Sequence, residues 1–174
     1  MNLRALGLIA AVSLLATAGG AGAQSLEAID TAEQAVVAAW NATPLAFRKA
    51  LFVDNAQGFG VYQARDGATF KGGEPLVVYA EPVGYAWKDN GDGTYSFGFN
   101  VDLLLKSSKG EIVGGQENFQ KLELTSRSRN REFMLTLTLN IDGAPAGDYI
   151  VEYRTRDIHS DKAAVISLPF TVKD

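Results

Sequence analysis

The stretch YSFGFNVDLLL has a period of two. Tyr95, Phe97, Phe99, Val101, Leu103 and Leu105 fall on one side, and Ser96, Gly98, Asn100 and Asp102 on the other. Such a chain has one apolar and one wet face, the habit of a strand in an antiparallel sheet. EFMLTLTLNI repeats the pattern, with Phe133, Leu135, Leu137, Leu139 and Ile141 on one face and Thr136, Thr138 and Asn140 opposite. Further strands are expected at Arg48 to Val53, Gly60 to Gln63, Pro75 to Glu81, Phe119 to Leu124, Asp148 to Arg156 and Ala164 to Val172, about eight in all. Turn signals separate them: Asp66-Gly67, Gly72-Gly73, Asn90-Gly91-Asp92-Gly93, Lys109-Gly110, Asp142-Gly143 and Ser160-Asp161. No helical stretch lies between strands, which argues against a parallel sheet and for an all-β sandwich or barrel.

The chain begins differently. Arg4, the apolar run from Ala5 to Ala18 and the small residues Ala21-Gly22-Ala23 have the order of a secretory signal peptide, with cleavage expected before Gln24. The run is short of the roughly 20 residues that span a bilayer, and nothing later approaches that length. Cleavage removes 23 of 174 residues and, of 16 basic and 20 acidic side chains, only Arg4, so the mature charge is −5. An acidic surface has no general attraction for nucleic acid. There is no cysteine, which excludes a lipid-anchored lipoprotein, a disulfide framework and a thiolate metal site. Stability must come from packing, and about 150 residues bury roughly 70% of their unfolded surface, enough for one domain.

The expected organisation is a signal peptide over residues 1–23, a helical segment over 24–45 and a β-sandwich over 46–174. In the helical segment Leu26, Ile29, Val36, Val37 and Trp40 are spaced as one packed face requires. Thr31-Ala32-Glu33-Gln34 fits a capping box, and Pro44 ends the helix.

LVVYAEPVGYAW, residues 76–87, crowds aromatics and a proline together. Leu76, Val78 and Ala80 alternate with Val77, Tyr79 and Glu81 as in a strand. Pro82 and Gly84 break it, and Tyr85 and Trp87 start the next segment as core. FKGGEPLVVYAE, PAGDYIVEYRTRD and KAAVISLPFTV resemble the strand and turn phrases of secreted bacterial immunoglobulin-like or fibronectin-like domains, from about Ala50 to the end. The resemblance implies an antiparallel immunoglobulin-like sandwich of about 7–8 strands, with Tyr149 where a tyrosine corner is expected, and implies no activity.

Three clusters carry chemistry. In RDIHSDK, Asp157, His159 and Asp161 would share a face of an extended chain and could ligate a divalent cation. No other histidine or cysteine completes a zinc shell, and a solvated turn accounts for them. KDNGDGT places Asn90, Asp92 and Gly93 as in a calcium loop. Lys88 stands where the first carboxylate belongs and Phe99 where the bidentate glutamate belongs, so a hairpin is expected and no metal or other cofactor. In SRSRNRE, Arg127, Arg129 and Arg131 recur every second residue and would project side by side at the connection between two strands. Their forks suit sulfate, phosphate or carboxylate groups of an anionic polymer or an envelope protein. The alternative is a solvated face paired to Glu132, Glu123 or neighbouring aspartates.

No nucleophile elbow or phosphate-cradling loop is present, and a triad would have to be built on His159. No catalytic residue is assigned. The expected function is that of an exported, periplasmic or extracellular, non-enzymatic interaction or accessory module of the cell envelope. The alternative is an envelope-polymer hydrolase using carboxylates or His159, or an anionic glycan- or ligand-binding protein.

Overall fold

The computed structural model of the chain describes residues 26–174. The signal peptide expected over residues 1–23 and its cleavage point lie outside them. The one described helix, α1 (Leu26–Ala42), is followed by β1 (Ala46–Gly58), β2 (Val61–Ala64), β3 (Thr69–Lys71), β4 (Pro75–Val83), β5 (Lys88–Asp89), β6 (Tyr95–Ser107), β7 (Ile112–Ser126), β8 (Leu135–Asn140), β9 (Gly147–Asp157) and β10 (Ala163–Lys173). Among the described residues no helix is long and apolar enough to cross a membrane.

The strands form two sheets. One has the order β2-β1-β4-β8; the other runs β3-β10-β9-β6-β5, with β7 also on β6. The alternation read from the sequence places the core between them. Leu76, Val78 and Ala80 of β4 and Leu135 and Leu137 of β8 are buried together with Phe97, Phe99, Val101 and Leu103 of β6, Val151 and Tyr153 of β9, and Ile166, Phe170 and Val172 of β10.

Several expectations need correction. The sheets are not wholly antiparallel, because β3 runs parallel to β10 with Thr69 beside Thr171 and Lys71 beside Lys173. Three residues are too few to show a period, and the pairing is long-range. β7 begins at Ile112, well before Phe119, since Gly114-Gly115 and two register shifts against β6 erase any alternation there. One shift lies opposite Asp102, where Asn118 has a φ of 49° and its N–H donates to the Asp102 carboxylate at 2.9 Å. Pro82 does not break β4; it pairs with Phe47 of β1 beyond Ala80, where β8 has ended. Phe133 stands outside β8, in the connection before it.

β4 is also buried on both faces. Its outward Tyr79 is covered by Tyr62 of the β1–β2 hairpin, ring centroids 4.4 Å apart. The Tyr79 hydroxyl donates to Glu81 at 2.8 Å and accepts the Gly60 N–H at 2.7 Å, so the buried polar groups are satisfied.

The helix departs most from expectation. Thr31 is not its cap, for α1 already runs from Leu26 and the Thr31 hydroxyl donates back to the Glu27 carbonyl at 2.8 Å. Leu26, Ile29 and Val36 are 79%, 49% and 43% exposed, and only Trp40 is buried. α1 therefore stands out from the sandwich and is fastened at its C-terminal end. There Trp40 Nε1 donates to the Tyr85 carbonyl at 2.7 Å, and its ring stacks on Trp87 at 5.1 Å. Lys162, from the turn between β9 and β10, donates to the carbonyls of Asn41 (3.1 Å), Thr43 (2.8 Å) and Gly84 (2.7 Å). The ammonium sits where the helix macrodipole is negative and carbonyls lack intrahelical partners. Gly84 has a φ of 77°, and a Cβ there would collide with the Pro44 carbonyl oxygen, so no other residue fits the joint without movement.

Candidate functional site: the arginine loop at the rim

Residues 127–134 connect β7 to β8 at the end of the sandwich that carries α1. The loop is fixed by its backbone: the Asn130 carbonyl accepts from the Tyr85 hydroxyl at 2.7 Å and from Trp87 Nε1 at 2.9 Å. Behind these donors Tyr85 stacks on Phe97 at 4.8 Å, and Phe133 meets Phe97 edge-on at 4.9 Å. Burial pushes the Tyr85 phenol well above its ordinary range, so it remains a proton donor to Asn130. Tyr85 is a core residue, as expected, Trp87 packs half-buried against the core, and their polar atoms also position the loop.

The arginines do not share one face. Arg127 is exposed and makes no ion pair among the described residues. The Arg129 guanidinium lies over the Tyr95 ring, 4.4 Å from its centroid. Arg131 reaches α1, with Nη2 3.3 Å from Glu33 Oε1. The partner is thus neither Glu132 nor Glu123 but a helix residue far away in sequence.

Asp30, Glu33, Gln34, Val37, Ala38 and Asn41 of α1 form, with Arg129, an open groove of about 460 Å³. A second hollow of about 410 Å³ is lined by Arg129, Asn130, Arg131 and Glu132. The groove's positive groups therefore face carboxylates. An incoming anion meets Arg127 and Arg129 directly, and gains Arg131 only by displacing Glu33, an exposed pair worth about 0–1 kcal/mol.

The other clusters resolve as turns. The Asp157 carboxylate accepts the Ala86 N–H (2.7 Å), the His159 N–H (2.9 Å) and the Ser160 hydroxyl (2.6 Å). His159 Nε2 lies 3.8 Å from Glu123, and Asp161 is exposed. No group of three or more metal-ligating side chains occurs among the described residues. In KDNGDGT, Asp92 accepts from the Thr94 N–H at 3.0 Å and hydroxyl at 2.6 Å, and Asp89 from the Gly91 N–H at 2.9 Å, closing the β5–β6 hairpin. Sequence reasoning missed Glu33, Asn130 and Lys162. A carbonyl acceptor has no sequence signature, and Glu33 stood in the sequence only as part of the capping-box stretch Thr31 to Gln34. Compared with known proteins, the chain matches no family model and no curated protein sequence.

Proposed function

We propose that this chain is an exported, non-enzymatic sandwich of immunoglobulin-like strand order, periplasmic or extracellular, that serves as an interaction or accessory module of the envelope. Its recognition element is the 127–134 loop, and its ligand an anionic group on a polymer or protein. The strand order supports the first part: β1, β4 and β8 face β10, β9, β6 and β7, with β3 parallel to the last strand. So does Tyr149 at the start of β9, whose hydroxyl donates to the Pro145 carbonyl at 2.9 Å, as a tyrosine corner does. Export rests on the leader. The observation that carries the reading is the Asn130 carbonyl, held by the buried Tyr85 and the half-buried Trp87 so that an arginine-bearing rim loop is presented in a set shape. Asp30 and Glu33 are exposed along one helix face rather than set across a cleft, which disfavours the hydrolase reading.

The test is retention of the mature protein on heparin and on polyglutamate, compared with a variant carrying Arg127→Ser, Arg129→Ser and Arg131→Ser. Two direct contacts at about 0.5–1 kcal/mol each predict weakening of roughly 5- to 30-fold, greater at low salt, with melting temperature nearly unchanged. Equal retention of the two proteins would refute the role of the loop. N-terminal sequencing of the exported protein should begin at Gln24.

A further inference from the structure

Each sheet exposes free edges, and they are not alike. β7 carries Glu117, Lys121 and Glu123 and two register shifts, and β3 is three residues long with Lys71 at its end. Charges, bulges and brevity are the means by which sheets discourage a further strand. β8 has none of them. Its six residues, LTLTLN, contain no charge and no proline, and its register with β4 runs unbroken from Leu135 beside Ala80 to Asn140 beside Pro75. It is the last strand of its sheet, and its outer edge has no backbone partner among the described residues.

Beside its C-terminal end the two sheets part. A cleft of about 460 Å³ opens there, lined by Leu139 and Ile141 with Leu105, Val113, Pro145 and Tyr149 from the facing elements. Val113 is 54% exposed. Asp142, at the mouth, is exposed and makes no ion pair among the described residues.

We propose that β8 is a docking edge for an extended segment of a partner polypeptide, which adds a fifth strand to the β2-β1-β4-β8 sheet. The unpaired backbone of β8 calls for an extended chain, because only a strand satisfies a row of alternating donors and acceptors. The cleft selects apolar side chains at alternate positions, those turned inward toward Leu139 and Val113. Asp142 selects a basic residue at the end of the segment that lies beside the cleft. This surface is independent of the arginine loop, which lies at the other end of β8.

The experiment uses the full mature chain and three fluorescein-labelled decapeptides. The first alternates valine with threonine and ends in two lysines; the second has the same composition with its valines adjacent; the third is the first, N-methylated at alternate residues. Anisotropy should show binding of the first, with the second and third weaker by about tenfold or more, since the second loses the inward row and the third its backbone donors. Hydrogen exchange should show new protection within residues 135–140. Asp142→Lys, an exposed charge reversal, should weaken the first peptide several-fold, and Leu139→Lys, an inward charge on the edge, should abolish its binding in a folded protein. N-methylation without effect, protection confined to β7 or β2, or failure of the first peptide to bind overturns the proposal. So does a concentration-dependent dimer protected at 135–140, which would make a second copy the occupant.

Discussion

Replacing Lys162 by Met keeps most of the aliphatic stem and removes an ammonium that donates to three carbonyls at 2.7–3.1 Å. Hydrogen bonds to a charged group contribute about 1.5–3 kcal/mol each where partners stay dry, and much less where water replaces the donor. The Asn41 and Thr43 contacts are exposed and their carbonyls rehydrate, whereas Gly84 is buried and its carbonyl is left poorly served. The helix-terminal charge adds about 0.3–1 kcal/mol, so the loss comes to about 2–4 kcal/mol. It falls on helix docking, because among the described residues α1 is otherwise fastened only by Trp40 and the exposed Glu33–Arg131 pair, and a helix in a protein owes most of its stability to packing. A loss of that size raises the undocked population of α1 by roughly 30- to 900-fold. Hydrogen exchange should report the same fall in protection over residues 36–42, with a red shift in tryptophan emission as Trp40 leaves Trp87, while β4, β6 and β9 keep their protection. A change of less than about threefold in α1 would refute the clamp, since a single retained neutral hydrogen bond accounts for that much. An equal fall across the sandwich would mean instead that Lys162 supports the β9–β10 turn.

Gly84→Ala should lower the melting temperature more than any other glycine-to-alanine change in a turn, because it meets both a positive φ and the Pro44 carbonyl; differential scanning calorimetry across Gly67, Gly84 and Gly91 decides this. Tyr153→Phe should be neutral or stabilising, as its buried hydroxyl has no partner among the described residues and carries an uncompensated desolvation of about 1–3 kcal/mol; a clear loss in urea titration would reveal an unseen partner. Glu74 has its carboxyl held below the usual range by the Lys71 N–H, at 2.9 Å, and by Arg65. Its contribution is therefore present above the ordinary glutamate value and is lost as pH falls through the depressed one. Melting temperatures of the wild type and Glu74→Gln should differ at neutral pH and converge in acid; a gap that persists in acid counts against the linkage.

The fold was legible wherever burial is one-sided. β6, β8, β9 and β10 alternate because one face meets the core and the other meets water, and each lies within a few residues of its expected place. Legibility failed where a different constraint governs. Gly114 and Gly115 leave no pattern to read in β7. Pro82 is tolerated because β4 there has lost a neighbour. The helix face looked like a core stripe, yet spacing alone cannot say whether a partner covers it, and here Trp40 is covered and Val37 only in part. In the candidate site the three arginines were visible as a run, but their separation was not. Arg129 lies over Tyr95, and Arg131 pairs with Glu33, 98 residues earlier. Such long-range pairings leave no local periodicity.

Lys162 lies 121 residues after the Asn41 carbonyl it clamps, and β10 also closes β3. A chain synthesised in order from its amino end thus completes α1 first and receives the group that clamps it almost last. Until the β9–β10 turn arrives, among the described residues only the Trp40 contacts with Tyr85 and Trp87 and the exposed Glu33–Arg131 pair hold the helix, and the carbonyls of Asn41, Thr43 and Gly84 lack their shared donor. The clamp therefore reports completion: a chain truncated before Lys162 would keep the Trp40 contacts but lack the ammonium, leaving the helix end a ready mark for proteolysis.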